Sequence, residues 1–175
     1  SVAENMQEIR ACIAGSAAKS GRSPEEIRLV AVSKTVEVER IRQALAAGAC
    51  DLGENRVQEM MGKMPQLPEN VRWHMIGRLQ KNKVKYIVDK VELIHSVDSF
   101  ELAKEIDKQA KKHDKIQRIL LEVNVSGEES KFGIRPDECE NLCREISELK
   151  NVKIDGLMTI APFVHLRNHT AYSVA

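Results

Sequence analysis

Aromatic side chains are scarce in this sequence: one Trp, two Tyr and three Phe, 3% of 175 residues. Single-stranded nucleic-acid sites stack bases on such rings, so the scarcity argues against one. Charge of one sign is lacking too. The net charge is +1 at pH 7, so no global field draws in nucleic acid or anionic lipid. No apolar run is long enough to span a bilayer. The first ten residues, SVAENMQEIR, carry charges where a secretory signal needs an apolar stretch. Cysteines are few and scattered, at Cys12, Cys50, Cys139 and Cys143, with no CxxC pair. Cys139 and Cys143 stand four apart on a predicted helix. They are either two half-buried thiols or two donors toward a metal. Scattered thiols of this kind suit a cytoplasmic protein. What is present is ordinary for a globular chain, 42% hydrophobic and 30% charged residues, and enough length for one domain with a core.

Strand and helix patterns alternate along the chain. Met6, Ile9, Ile13 and Ala17 give residues 1–19 a helical period. Ser23, Pro24 and two acids form a helix-start signal. A strand is predicted over 28–33, then a helix over 37–47 that Gly48 stops. ACDLGE reads as a second strand, NRVQEMMGKM as a helix, VRWHMIG as a third strand, KNKVKYIVDK as a short helix and VELIHSV as a fourth strand. Residues 99–113 form a helix with Ser99 as its N-cap; IQRILLEVNVS is the fifth strand. A helix over 136–149 opens on Pro136, and VKIDGLMTI is the sixth strand. Such alternation builds a parallel sheet, either doubly wound or closed as a β/α barrel. No GxGxxG and no P-loop follows a strand, which favours the barrel.

Both folds bind ligands at the carboxyl ends of their strands. The polar residues there are Lys34; Glu54 and Asn55; His74; His95, Ser96 and Asp98; Asn124 and Ser126; and Met158 with Thr159. Lys34 ends the apolar run Leu29–Val32 and shares strand parity with Val30 and Val32. Burial disfavours a charged lysine and makes it a nucleophile for aldehydes. The alternative is an ion-paired or snorkelling side chain. His74 either orients a ligand or is a hydrogen-bonded histidine one layer back. Asn55 either binds a ligand or caps the next helix. KNKVKY reads as a solvated basic face or a phosphate contact. GEESKFG, with Ser130 and Lys131, reads as a loop over the barrel mouth or a solvated turn. His165 and His169 have metal-like spacing but no third ligand beside them.

Six blocks then carry a resemblance: AVSKT, GENRVQE, WHMIGRLQKNK, IHSVDS, LEVNVSGEESKFG and GLMTIAPF. In this order and spacing they closely resemble the pyridoxal 5′-phosphate homeostasis proteins, the YggS/PROSC-like family, from residue 1 to about residue 164. The resemblance implies an α/β fold of the (β/α)8 TIM-barrel type, fold type III among pyridoxal-phosphate proteins. About six of its eight βα units are recognisable here. It implies pyridoxal 5′-phosphate (PLP) as cofactor, held by Lys34 as a Schiff base, with Asn55, His74 and Met158 as further cofactor-binding residues. No catalytic residue and no metal ligand is assigned. The implied role is a carrier that keeps PLP available to PLP-dependent apoenzymes, without dedicated turnover, as a monomer or weak homodimer. The alternatives are a racemase-like PLP enzyme and a Schiff-base aldolase.

The family continues past GLMTIAP, whereas HLRNHTAYSVA follows Val164 here. The expected organisation is therefore an incomplete PLP-binding barrel over 1–164 and an unaligned tail over 165–175. Strands seven and eight, with the segments that cradle the cofactor phosphate, are expected to be missing. Two sheet edges are expected to lie unpaired.

Overall fold

The computed structural model describes residues 1–129 and 131–160. The expected tail over 165–175, His165, His169 and Ser130 lie outside the described residues.

Helix α1 (Val2–Lys19) precedes the first strand. Ser1 caps it, accepting from the Glu4 amide, while the Glu4 side chain reaches back to the chain's first amine. Five βα repeats and a sixth strand follow among the described residues: β1 (Val30–Val32), α2 (Val38–Ala46), β2 (Asp51–Glu54), α3 (Val57–Lys63), β3 (Arg72–Met75), α4 (Val84–Ile87), β4 (Val91–Val97), α5 (Phe100–Lys112), β5 (Gln117–Glu122), α6 (Cys139–Ser147) and β6 (Val152–Met158). Helix α2 ends where Gly48 takes φ +91°, and Arg10 of α1 donates to the Ala47 and Gly48 carbonyls at 2.9 and 2.7 Å. One helix thus satisfies the orphan carbonyls of another. Ser99 caps α5 as expected, accepting from the Leu102 amide at 3.2 Å.

All strand pairs are parallel and the sheet order is β1-β2-β3-β4-β5-β6. A doubly wound sheet reverses its order at a switch point. This sheet never reverses, which is the ordering of a β/α barrel. Among the described residues β1 and β6 are the outer strands. Observed strands are mostly shorter than the apolar runs: β1 spans three residues of the six predicted. Pairing on one side alone leaves β1 less to hold it, and the chain turns away after Ser33.

Alternation sorts each strand between two faces. One face meets the helices, where Leu52, Met75, Ile94, Ile119 and Leu121 pack with Ile41, Met60, Ile106 and Ile146. The other face carries a small cluster, Leu93, Leu120 and Met158, and many polar groups. The central strands β2, β3, β4 and β5 are the most deeply covered. At the outer strands Val32 is 49% and Leu157 50% exposed.

Candidate functional site

The first strand ends in a fixed turn. The Ser33 amide still donates to Gly53 at 2.9 Å, and the buried Ser33 hydroxyl donates to Glu54 Oε1 at 2.7 Å. Thr35 follows with φ +59°. That region is an outlier for a β-branched residue and persists only where surroundings enforce it. Here the Thr35 amide donates to Glu59 Oε1 at 2.6 Å. Lys34 stands between these two anchored residues. It is exposed and makes no hydrogen bond or ion pair among the described residues. This corrects the expectation of a buried lysine. Val32 below it is half exposed, because β1 is an outer strand. What distinguishes Lys34 is the lack of a partner on a lysine whose neighbours are both held.

On β2, Gly53 lies against Val30 and Ile76, and a Cβ there would sit 2.9 Å from Ile76 Cδ1. Asn55 is half-buried just beyond. It does not cap α3: Arg56 is the N-cap residue, and no side-chain bond is made there. Instead Asn55 abuts Gly77, where a Cβ would fall 2.7 Å from the Asn55 Cα and carbonyl oxygen. The ends of β2 and β3 therefore meet backbone to backbone.

His74 is fully buried and bonded at both ring nitrogens. Its Nε2 lies 2.8 Å from Asp51 Oδ1, and its Nδ1 2.9 Å from His95 Nε2. An ionised carboxylate only accepts, so His74 Nε2 donates to Asp51, and His74 Nδ1 accepts from His95 Nε2. His95 Nδ1 is left as a buried acceptor without a partner among the described residues. Arg72 completes the row, with Nη2 2.8 Å from Asp51 Oδ2. Burial works against the Asp51 charge, yet the Arg72 and His74 hydrogen bonds hold its carboxyl below the ordinary range. Burial lowers His74 against the pull of Asp51, and burial with the nearby His74 pushes His95 down to about 3.

At the ends of β5 and β6, burial and the Asp98 charge raise the Glu122 carboxyl to about 7. Glu122, Val123, Asn124, Lys131, Phe132 and Ile160 enclose a cleft of about 200 Å³. Asn124 shapes the following loop, donating to the Glu128 carbonyl at 2.8 Å and accepting from the Ser126 hydroxyl at 2.8 Å. Arg78 lies 4.6 Å over the Phe132 ring and ties this loop to the segment after β3. Met158 is buried with Leu93 and Leu120. The structure thus joins Asn55 to Gly77, His74 to His95, and Met158 to the inner apolar cluster. No hydrogen bond or ion pair joins Lys34 to any of them among the described residues.

A larger hollow, about 600 Å³, lies at the opposite end of the sheet beside Arg42, Cys50, Asn70 and Arg72. Its arginines are already engaged, Arg42 by Gln66 and Arg72 by Asp51, and it contains none of the strand-end residues that surround Lys34. KNKVKY is a solvated face whose Lys83 and Lys85 lie over Tyr86, at 5.9 and 5.1 Å. Among the described residues no group of three His, Cys, Asp or Glu is placed to hold a metal. No described helix is long and apolar enough to cross a membrane.

Sequence reasoning passed over Lys63, Asp51 and Glu122. Lys63 left a trace, since Glu59 and Lys63 are four apart on one helix face. Asp51 and Glu122 gain their roles only from strand register.

For PLP, the described residues at Lys34 fit: an accessible amine without a competing partner, on a backbone held at both sides. Two buried hydroxyls at the same end, Ser96 Oγ and Thr159 Oγ1, are unpartnered among the described residues and are available to a bound polar group.

Comparison with known proteins agrees with this fold. The model of the alanine racemase N-terminal domain family matches residues 2–173. The chain is similar to a pyridoxal phosphate homeostasis protein of Aquifex aeolicus, 48% identical over 83% of this chain and 64% of the relative. It is 38% identical to one from Pseudomonas aeruginosa, over 91% of this chain and 70% of the relative. The chain thus spans just under two thirds of the Aquifex relative's length. Its fold matches that of PipY from Synechococcus elongatus with PLP bound, with TM-score 0.79 and 34% identity over 94% of this chain and 72% of that one.

Proposed function

We infer that this chain, which belongs to the family of pyridoxal phosphate homeostasis proteins, is a carrier of PLP rather than an enzyme that turns amino acids over. The observation that carries the reading is Lys34: an amine without a partner among the described residues, at the carboxyl end of the first strand of a barrel-type sheet and flanked by anchored residues. A similar fold has been solved with PLP bound. Lys34 would hold the cofactor as a Schiff base, and the cofactor when bound supplies a reactive aldehyde carbon and an electron-withdrawing ring. Asn55 and Met158 are the proposed neighbours at the ends of β2 and β6. His74 acts one layer back, since Asp51 and His95 occupy both its nitrogens.

That engagement supports storage over turnover. Proton transfer at a substrate carbon needs a side chain within reach whose pKa lies near the working pH. His74 has no nitrogen to spare, burial keeps both histidines uncharged, and Glu122, whose carboxyl is raised to about 7, makes no hydrogen bond or ion pair with Lys34 or His74 among the described residues. The partners proposed are PLP-dependent apoenzymes, and the place is the cytoplasm, where the free thiols of all four cysteines stay reduced. A monomer or weak homodimer suffices for this role.

The test is transfer. The chain is loaded with PLP, freed of excess, and mixed with a PLP-dependent apoenzyme. Recovery of that enzyme's activity faster than PLP dissociates into buffer is expected, together with no racemisation of L-alanine. Racemisation on the order of 10 turnovers per second, a typical enzyme rate, would establish the racemase-like alternative instead.

A further inference from the structure

A buried ion triad lies directly behind the attachment lysine. Lys63, at the end of α3, is 8% exposed and its ammonium donates three hydrogen bonds. They go to the Ser33 carbonyl at 2.6 Å, Glu54 Oε1 at 2.7 Å and Glu59 Oε1 at 2.7 Å. The two acids in turn grip the chain on either side of Lys34. Glu54 Oε1 accepts from the Ser33 hydroxyl at 2.7 Å, and Glu59 Oε1 accepts from the Thr35 amide at 2.6 Å. One ammonium therefore links the end of β2, the first turn of α3 and both neighbours of Lys34.

We propose that the Glu54–Lys63–Glu59 triad is the positioning device for Lys34, holding its backbone in the strained turn that presents the amine to the cofactor. The inference rests on the reading of Lys34 as the attachment point. Three features of the triad exceed what packing requires. Glu54 is fully buried, and a hydrophobic residue of its size would fill the same space without needing an ion partner. The bonds converge on the two residues flanking Lys34 and leave Lys34 itself unbonded. Thr35 holds φ +59°, which a β-branched residue keeps only under such constraint. Burial disfavours the Lys63 charge, but the hydrogen bonds it donates to both acids outweigh that and raise its pKa. Lys63 and Glu59 thus stay charged across the neutral range. Lys34 and Lys63 divide two tasks between two lysines: one is bonded three times and inert, the other is free to react.

Replacing Lys63 would strand a buried carboxylate and risk unfolding, so the informative variants are at the half-buried Glu59. Glu59→Gln keeps an oxygen that accepts from the Thr35 amide; Glu59→Ala removes it. Three measurements are compared for wild type and both variants. The first is thermal melting. The second is amide exchange of residues 33–35 in the cofactor-free chain. The third is PLP bound at Lys34, measured by borohydride reduction and peptide mapping over a PLP titration. Expected for Glu59→Ala is at least tenfold faster exchange at Thr35 and a three- to tenfold weaker half-saturation at Lys34. Glu59→Gln should stay within twofold of wild type in both, with both variants folded. If wild type is labelled at Lys34 and Glu59→Ala matches it in exchange and half-saturation, the positioning role is wrong while the carrier reading stands. If wild type is labelled elsewhere than Lys34, both fall together.

Discussion

One buried base and one buried acid set opposite pH dependences at the residue scale. In the unfolded chain the His95 imidazole takes a proton near the ordinary value of about 6.5. In the fold it resists until about 3. Between those values the unfolded chain binds more protons, so His95 contributes stability above about 6.5 that is lost as the pH falls. The loss is on the order of 1.4 kcal/mol per pH unit for a single fully coupled site. Glu122 runs the other way. Its folded pKa is raised to about 7 from 4.5, so its stabilising contribution is complete below 4.5 and disappears as the pH rises through 7. Urea unfolding between pH 4 and pH 8 separates the two. His95→Gln should flatten the decline below pH 6.5, and Glu122→Gln should gain stability relative to wild type at pH 8. An unchanged profile in either variant would remove that residue from the account. Neither role was legible in the sequence. His95 was visible as a strand-end polar residue and Glu122 was not; the burial of both follows from neighbours brought by register, not from spacing along the chain.

The sequence was most informative at the scale of elements. VELIHSV coincides with β4 at both ends, where the polar pairs Asp89–Lys90 and Asp98–Ser99 bound it. The caps were legible for the same local reason, and Ser99 bonds as its position implied. Ser99→Ala is expected to cost about 1 kcal/mol, by the usual worth of an N-cap, with cofactor binding unchanged. What local pattern could not convey is how the ends of neighbouring strands touch. Gly77 reads as the last residue of the third strand, yet it is the close contact to the Asn55 backbone. Gly77→Ala should destabilise by about 1–3 kcal/mol through overpacking, since backbone atoms must shift. Because the shift falls on Asn55, PLP binding should weaken as well; a variant that is destabilised but binds normally would take Asn55 out of the site. The ends of β1 carried the largest difference from expectation. Alternation gave Lys34 its parity, but nothing local revealed that an outer strand would leave it exposed, or that Lys63 would hold the turn.

For the whole molecule, burial is concentrated under the central strands and thins toward β1 and β6. Sequential parallel order gives every central strand two neighbours and a helix layer, while the outer strands have one neighbour each among the described residues. Stability should follow this gradient. Ile119→Ala in β5, a fully buried position, should cost about 2–5 kcal/mol. Val32→Thr in β1, half exposed, should stay within about 0.5 kcal/mol. Comparable losses at both positions in urea unfolding would mean that a further surface covers β1 in solution. The alternation of strand and helix made the barrel-type order readable, and the six motif blocks made the family readable. The network behind Lys34 depended on contacts across three elements.

The central claim is that Lys34 is where the cofactor is held. Its most direct measurement is the intact mass of the chain after equimolar PLP and borohydride, followed by peptide mapping, for wild type and Lys34→Ala. The expected result is one pyridoxyl group per wild-type chain, located on Lys34, and none on the variant. A group found mainly on Lys81, Lys83 or Lys131, or equal labelling of Lys34→Ala, would contradict it.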